Sequence, residues 1–163
     1  MEAELQKAFT TNVVATIHLF NLFLPLIFKG SVKKVIALSS GMADLDAVNQ
    51  FDIDLGSGYA MSKAALNMAV AKLSAQYKKS HGVLFLSIAP GVIETGQHAD
   101  ATPEHLQRMA GQFQKFQAYA PDFKGTDSPE AGVRKVVSVI ERASIEGGFG
   151  GAFVSQNANR QWL

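Results

Sequence analysis

The 163-residue sequence has no cysteine, 47% hydrophobic and 18% charged residues, and 15 Lys and Arg against 14 Asp and Glu, for a net charge of +1. So even a balance excludes the long-range field that gathers nucleic acid or anionic lipid. The lack of cysteine excludes disulfide and thiolate chemistry and points to a reducing, cytoplasmic setting. A chain of this length is expected to form a single domain over 1–163, burying about two-thirds of its unfolded surface without covalent staples.

In chain order, good helix formers and spaced apolar residues from Glu2 to Phe28 predict a helix. Leu5, Phe9, Leu19 and Phe23 lie on one side and Val13, Ile17, Phe20 and Leu24 on another, so both sides are expected to be buried. The apolar part, Val13 to Phe28, contains His18, Asn21 and Pro25 and reads as short of the roughly 20 apolar residues of a membrane span. Lys33 to Ser40 predicts a buried parallel strand ending in small polar residues. Gly41 to Gly58 reads as a long loop, and Tyr59 to Lys79 as a second helix stopped at Gly82. Val83 to Ala89 is a second buried strand, broken at Pro90-Gly91. Glu104 to Tyr119 reads as a mobile helical segment. Pro129 to Ala143 reads as a third long helix, opened by Asp127-Ser128 and a first-turn proline. A third strand, Gly151 to Ser155, follows a glycine-rich turn. Alternating helix and strand predicts an α/β fold of truncated Rossmann-like type: about three parallel strands in a three-layer arrangement with helices on both faces. A complete doubly wound sheet has about six strands.

Open α/β sheets place their chemistry at the carboxyl ends of strands. Ser39 and Ser40 close the first strand, and Tyr59 and Lys63 share one face of the next helix, one turn apart. A phenol titrates near pH ~10, and an adjacent ammonium favours the phenolate, so this pair is suited to exchanging a proton with a carbonyl or hydroxyl. A serine hydroxyl at the strand end can hold the same oxygen. Other residues read more plainly. His18 is expected to pack, and His81, His98 and His105 have no metal-ligand spacing, so no metal site is expected. Asp44, Asp46, Asp52 and Asp54 alternate as in a calcium loop but lack its glycine and closing glutamate, and read as solvated loop residues. Met61, Met68 and Met109 read as gap-fillers.

Asn12-Val13-Val14-Ala15-Thr16, Leu38-Ser39-Ser40-Gly41, Tyr59-Ala60-Met61-Ser62-Lys63-Ala64-Ala65 and Pro90-Gly91-Val92-Ile93-Glu94-Thr95, in that order, resemble the C-terminal half of the short-chain dehydrogenase/reductase family. Its fungal members look most similar, including the ending Asn159 to Leu163. The resemblance implies that Tyr59 is the general acid/base and that Lys63 lowers its pKa and would bind a nicotinamide ribose. It implies further that Ser40 polarises the substrate oxygen and that Asn12 holds the helix and a relay water. Pro90, Gly91, Val92 and Thr95 would line the substrate or nicotinamide end. The long loop before Tyr59 leaves Ser39 as the alternative hydroxyl.

The family's Gly-rich, phosphate-cradling turn has no counterpart before Asn12. The expectation is therefore no cofactor in this chain, with NAD(P) only if the missing half is supplied. The expected function is redox-neutral acid/base chemistry (cyclisation, dehydration or isomerisation) on a small, polyketide-like carbonyl substrate. An NAD(P)-dependent oxidoreductase fragment and a non-catalytic binding protein stand as alternatives. In the family the first and second long helices pack against their symmetry copies, and the first strand's edge would be bare. A homodimer or higher homo-oligomer is therefore expected, with neither nucleic acid nor membrane as partner.

Overall fold

The computed structural model describes residues 2–96 and 100–163, so His98 lies outside the described residues, as does the side chain of His105. Helix α1 (Glu2–Phe9), a π-helical turn (Thr10–Val14) and α2 (Ala15–Lys29) run on as one rod. Strand β1 (Lys34–Leu38) leads through a 3-10 turn (Gly41–Ala43) to the short α3 (Leu45–Gln50) and then α4 (Ser57–His81). After these come β2 (Leu84–Ala89), α5 (Pro103–Tyr119), α6 (Pro129–Arg142) and β3 (Phe153–Ser155).

The three strands form one parallel sheet in the order β1-β2-β3, with Leu38 opposite Ile88 and Ala89 opposite Ser155. Strand β2 is central and buried along its whole length, which is why its sequence, Leu-Phe-Leu-Ser-Ile-Ala, is almost wholly apolar. Its residues alternate between two cores. Phe85 points with Val35 and Ala37 toward Phe20 and Leu24 of α2 and Leu66 and Val70 of α4. Leu84, Leu86 and Ile88 point toward Val136 and Val139 of α6. The predicted architecture, about three parallel strands with helices on both faces, is the one observed.

Several expectations need correction. The first helix buries one side, not two: Phe20 and Leu24 are buried, whereas Leu19 and Phe23 are each 51% exposed. Among the described elements the sheet and α4 meet only one of its faces. The rod from Glu2 to Lys29 is also long and apolar enough to cross a bilayer, contrary to the sequence reading. Here it packs on the domain, with Phe20 edge-on to Phe85 at 6.2 Å. His18 is exposed. Met61 and Met68 are 48% and 64% exposed, so they fill no core gap.

Gly41 to Gly58 is not a plain loop either, since it contains α3. Asp44 caps α3, its carboxylate accepting from the Ala47 backbone N–H at 2.9 Å, and it is buried rather than solvated. Helix α6 starts as its sequence predicts, with Ser128 Oγ accepting from Ala131 N at 3.3 Å and a proline in its first turn. Ser128→Ala is expected to cost about 1 kcal/mol. In urea denaturation this would lower the midpoint and leave the slope unchanged.

Candidate active site

The carboxyl end of β1 and the start of α4 meet where Gly56, at φ +67°, turns the chain into the helix. Tyr59 and Lys63 stand one turn apart on α4, and the Lys63 ammonium lies 5.6 Å from the centre of the Tyr59 ring. Lys63 Nζ also donates to the Leu38 carbonyl at 2.8 Å, tying α4 to the end of β1. Ser40 follows two residues later. Its Oγ accepts from Met42 N at 3.3 Å, which orients the hydroxyl, and it lies beside the Tyr59 phenol.

Ser39 points the other way. It is 3% exposed and its Oγ has no hydrogen-bond partner among the described residues. Of the two serines, Ser40 is the one brought to Tyr59.

The electrostatics differ from the expectation. Desolvation pushes the Tyr59 hydroxyl above the ordinary phenol range, and the Ser40 hydroxyl pulls it back only in part. Desolvation also lowers Lys63 below the usual ammonium range. The sequence reading expected Lys63 to lower Tyr59. In the structure burial sets the direction and the opposing pull comes from Ser40, while Lys63 sits over the ring and spends a donor on the Leu38 carbonyl.

Asn12 lies in the π-helical turn, a local widening that often marks functional positions. Its Nδ2 donates to Ser62 Oγ at 2.9 Å, and Ser62 Oγ donates to the Tyr59 carbonyl at 2.7 Å. Asn12 is thus tied to the backbone of Tyr59 through Ser62. Ser62 was not singled out in the sequence, although its place between Tyr59 and Lys63 was a signal: a helical serine commonly bonds back three or four residues.

Pro90 and Gly91 leave β2 beside this region. Gly91 adopts φ +87°, and a Cβ there would come within 3.0 Å of Gln156. Ile93 pairs in parallel fashion with Asp127, whose N–H donates to the Val92 carbonyl at 2.8 Å and whose carbonyl accepts from Glu94 N at 2.9 Å. Thr95 is exposed beyond them. Val92 lines a polar cavity of about 270 Å³ with Asp127, Lys135 and Gln156. An apolar cavity of about 210 Å³ lies against Ala60, Met61 and Ala64 of α4, under Met42, Leu45 and Ile53. Among the described residues no group of acidic and histidine side chains is arranged to hold a metal.

A profile for the short chain dehydrogenase family matches residues 1–107. The chain is 57% identical over its whole length to the short chain dehydrogenase virK of Hypocrea virens, covering 60% of that protein. It is 55% identical over 96% of its length to the short-chain dehydrogenase/reductase iacC of Pestalotiopsis fici, covering 57% of it. The chain therefore spans about 60% of the length of the curated relatives it matches. In fold it is similar to the NADPH-bound carbonyl reductase from chicken fatty liver, with a TM-score of 0.73 at 20% identity over 98% of this chain and 57% of that one.

Proposed function

The chain belongs to the short-chain dehydrogenase family, and from that premise we propose that it supplies the acid/base machinery for carbonyl–alcohol oxidoreduction of a small molecule. The observation that carries the proposal is the convergence of Tyr59, Lys63 and Ser40 at the carboxyl end of β1. Tyr59, kept protonated by desolvation, donates its proton to a substrate carbonyl oxygen. Ser40, one lone pair engaged by the Met42 N–H, donates to the same oxygen and stabilises the charge that develops there. Lys63 stabilises the phenolate left behind. Asn12, through Ser62, holds the Tyr59 backbone in register.

A nicotinamide dinucleotide fits this site at its ribose end. An ammonium carries N–H donors beyond the one that Lys63 spends on Leu38, and Lys63 Nζ lies 5.6 Å from the Tyr59 ring centre. Hydride exchange with the substrate carbon is the chemistry that such a group supplies when bound. The glycines that open α4, Gly56 and Gly58, lie against Met42 and Leu5 and so offer no open cradle for the dinucleotide's phosphates. The positive-φ Gly148 and Gly151 precede β3, and Gly151 abuts Ser74. This chain alone is therefore expected to bind NADPH and NADH weakly, and micromolar affinity by calorimetry would reverse that expectation.

The same observation favours a second reading: redox-neutral cyclisation, dehydration or isomerisation of a polyketide-like carbonyl, without a cofactor. Product analysis on carbonyl substrates with and without NADPH separates the two. Product formed only with NADPH supports the oxidoreductase, and product formed equally well without it supports the redox-neutral enzyme.

The pH dependence follows in sign from the two shifts. A raised Tyr59 stays protonated through neutral pH, so proton donation to a carbonyl is expected to hold there and to fall as pH climbs through the raised value. The reverse direction, which needs the phenolate, should rise over the same range. Lys63→Met removes the charge that favours phenolate, and should push both limbs to higher pH. Rate profiles in the two directions check this.

A cysteine-free chain suits the cytoplasm, and we propose self-association there. Val14, Leu22 and Leu26 are 62%, 60% and 64% exposed along the first helical rod, an apolar surface that a second copy would cover. Sedimentation at micromolar concentration is expected to show a dimer or larger assembly, and Leu22→Glu combined with Leu26→Glu should shift it to monomer.

A further inference from the structure

The turn that presents Ser40 is backed by one residue far along the chain. A Cβ on Gly41 would lie 2.5 Å from the Cβ and 2.8 Å from the Cγ of Trp162, so Trp162 rests directly on the backbone next to Ser40. Gly41 does not have positive φ, so what requires glycine here is the approach of Trp162. Trp162 is 5% exposed, and its ring stacks on Phe153 of β3 at 4.3 Å and 18°. Its backbone N–H donates to Tyr119 Oη at 3.0 Å, and that hydroxyl donates to the Arg160 carbonyl at 3.1 Å. The Arg160 guanidinium pairs with the buried Asp44 carboxylate and lies 3.6 Å from Asp46. Trp162 is thus braced by β3, by the last residue of α5 and by the cap of α3, and it closes from behind the space into which the Ser40 turn could relax.

We propose that Trp162 is a positioning residue that sets the Ser40 hydroxyl against Tyr59, with Arg160 locking it in place through Asp44. The proposal rests on the reading that Ser40 and Tyr59 act on one substrate oxygen. Interiors are packed densely enough that removing a wedge lets its neighbours shift. A small displacement of Ser40 costs the shared geometry, which is what proton transfer depends on. Asp44 and Arg160 also hold opposite charges together with their partners satisfied, so the brace is built into the fold.

The test needs no substrate. Ser40, from the turn after β1, is the side chain that bonds the Tyr59 phenol, and the Lys63 ammonium of α4 lies 5.6 Å from the ring centre. Losing the Ser40 contact should move the Tyr59 titration upward. Phenolate formation is followed by ultraviolet difference titration in the parent, Ser40→Ala, Trp162→Ala and the double variant. Subtracting the same variant carrying Tyr59→Phe isolates Tyr59 from Tyr77 and Tyr119.

Trp162→Ala is expected to shift the midpoint upward in the same sense as Ser40→Ala, with no further shift in the double variant. Trp162→Phe, which keeps a ring on Phe153, should shift it less. A purely structural role would lower the melting temperature and leave the Tyr59 midpoint where it is. If Trp162→Ala is unfolded by circular dichroism, Gly41→Ala and the exposed Arg160→Met carry the same comparison.

A parent-like midpoint in the Trp162 variant, or in its substitutes, while Ser40→Ala shifts, overturns the positioning role alone. So do additive shifts in the double variant. A parent-like midpoint in Ser40→Ala overturns the site reading, and the positioning role with it.

Discussion

Tyr59→Phe is expected to reduce turnover by about 10²–10⁴-fold, the usual contribution of a positioned general acid. The substitution keeps the ring under the Lys63 ammonium and removes only the hydroxyl, so the fold and the contact at 5.6 Å should survive. The loss belongs to the transition state. kcat and kcat/KM should fall together, because a proton is transferred there and is not yet committed when substrate first binds. Raising the pH should not rescue the variant, since no titrating group remains at that position. Full activity in Tyr59→Phe would mean that the convergence of Tyr59, Lys63 and Ser40 is not the working site, and the chemistry would have to be assigned to other residues.

Ser40→Ala is expected to cost roughly 10²–10³-fold in kcat, the loss typical of one missing donor to a developing oxyanion. The structure also supplies the control. Ser39 is buried and its hydroxyl has no partner among the described residues, so Ser39→Ala removes no contact with Tyr59 and should leave turnover near that of the parent. The two neighbours thus separate a polarising hydroxyl from a strand-end serine by a single methylene-scale change at each position. If Ser39→Ala is the damaging variant and Ser40→Ala is harmless, the assignment must be exchanged, and Ser40 becomes only the acceptor that closes the Met42 turn.

Much of this site was legible along the chain because its determinants are local. Tyr59 and Lys63 share a helix face by periodicity alone. The apolar run of β2 marked a strand covered on both sides. Ser128 followed by Pro129 marked the start of α6. Other features depend on partners distant in sequence. Asp44 read as a loop aspartate because its burial requires Arg160 to neutralise it and the Ala47 N–H to bond it. The first helix read as two-sided because periodicity reports which faces are apolar, and only the assembled sheet decides which of them is covered.

By itself the sequence determined the parallel α/β class, the order of its main elements and the placing of Tyr59 and Lys63 one turn apart on one helix face, since each of these follows from periodicity, strand composition or helical spacing. Tertiary structure alone decided which serine meets Tyr59, because the alternation of side chains at the end of β1 sends Ser39 inward and leaves Ser40 facing the helix. It also decided the direction in which Tyr59 titrates, since desolvation depends on everything that packs around the phenol, and the sequence names only the charge nearby. And it decided that Trp162 backs the site, a contact that exists only because β3 carries Phe153 to the end of the sheet where Gly41 leaves β1.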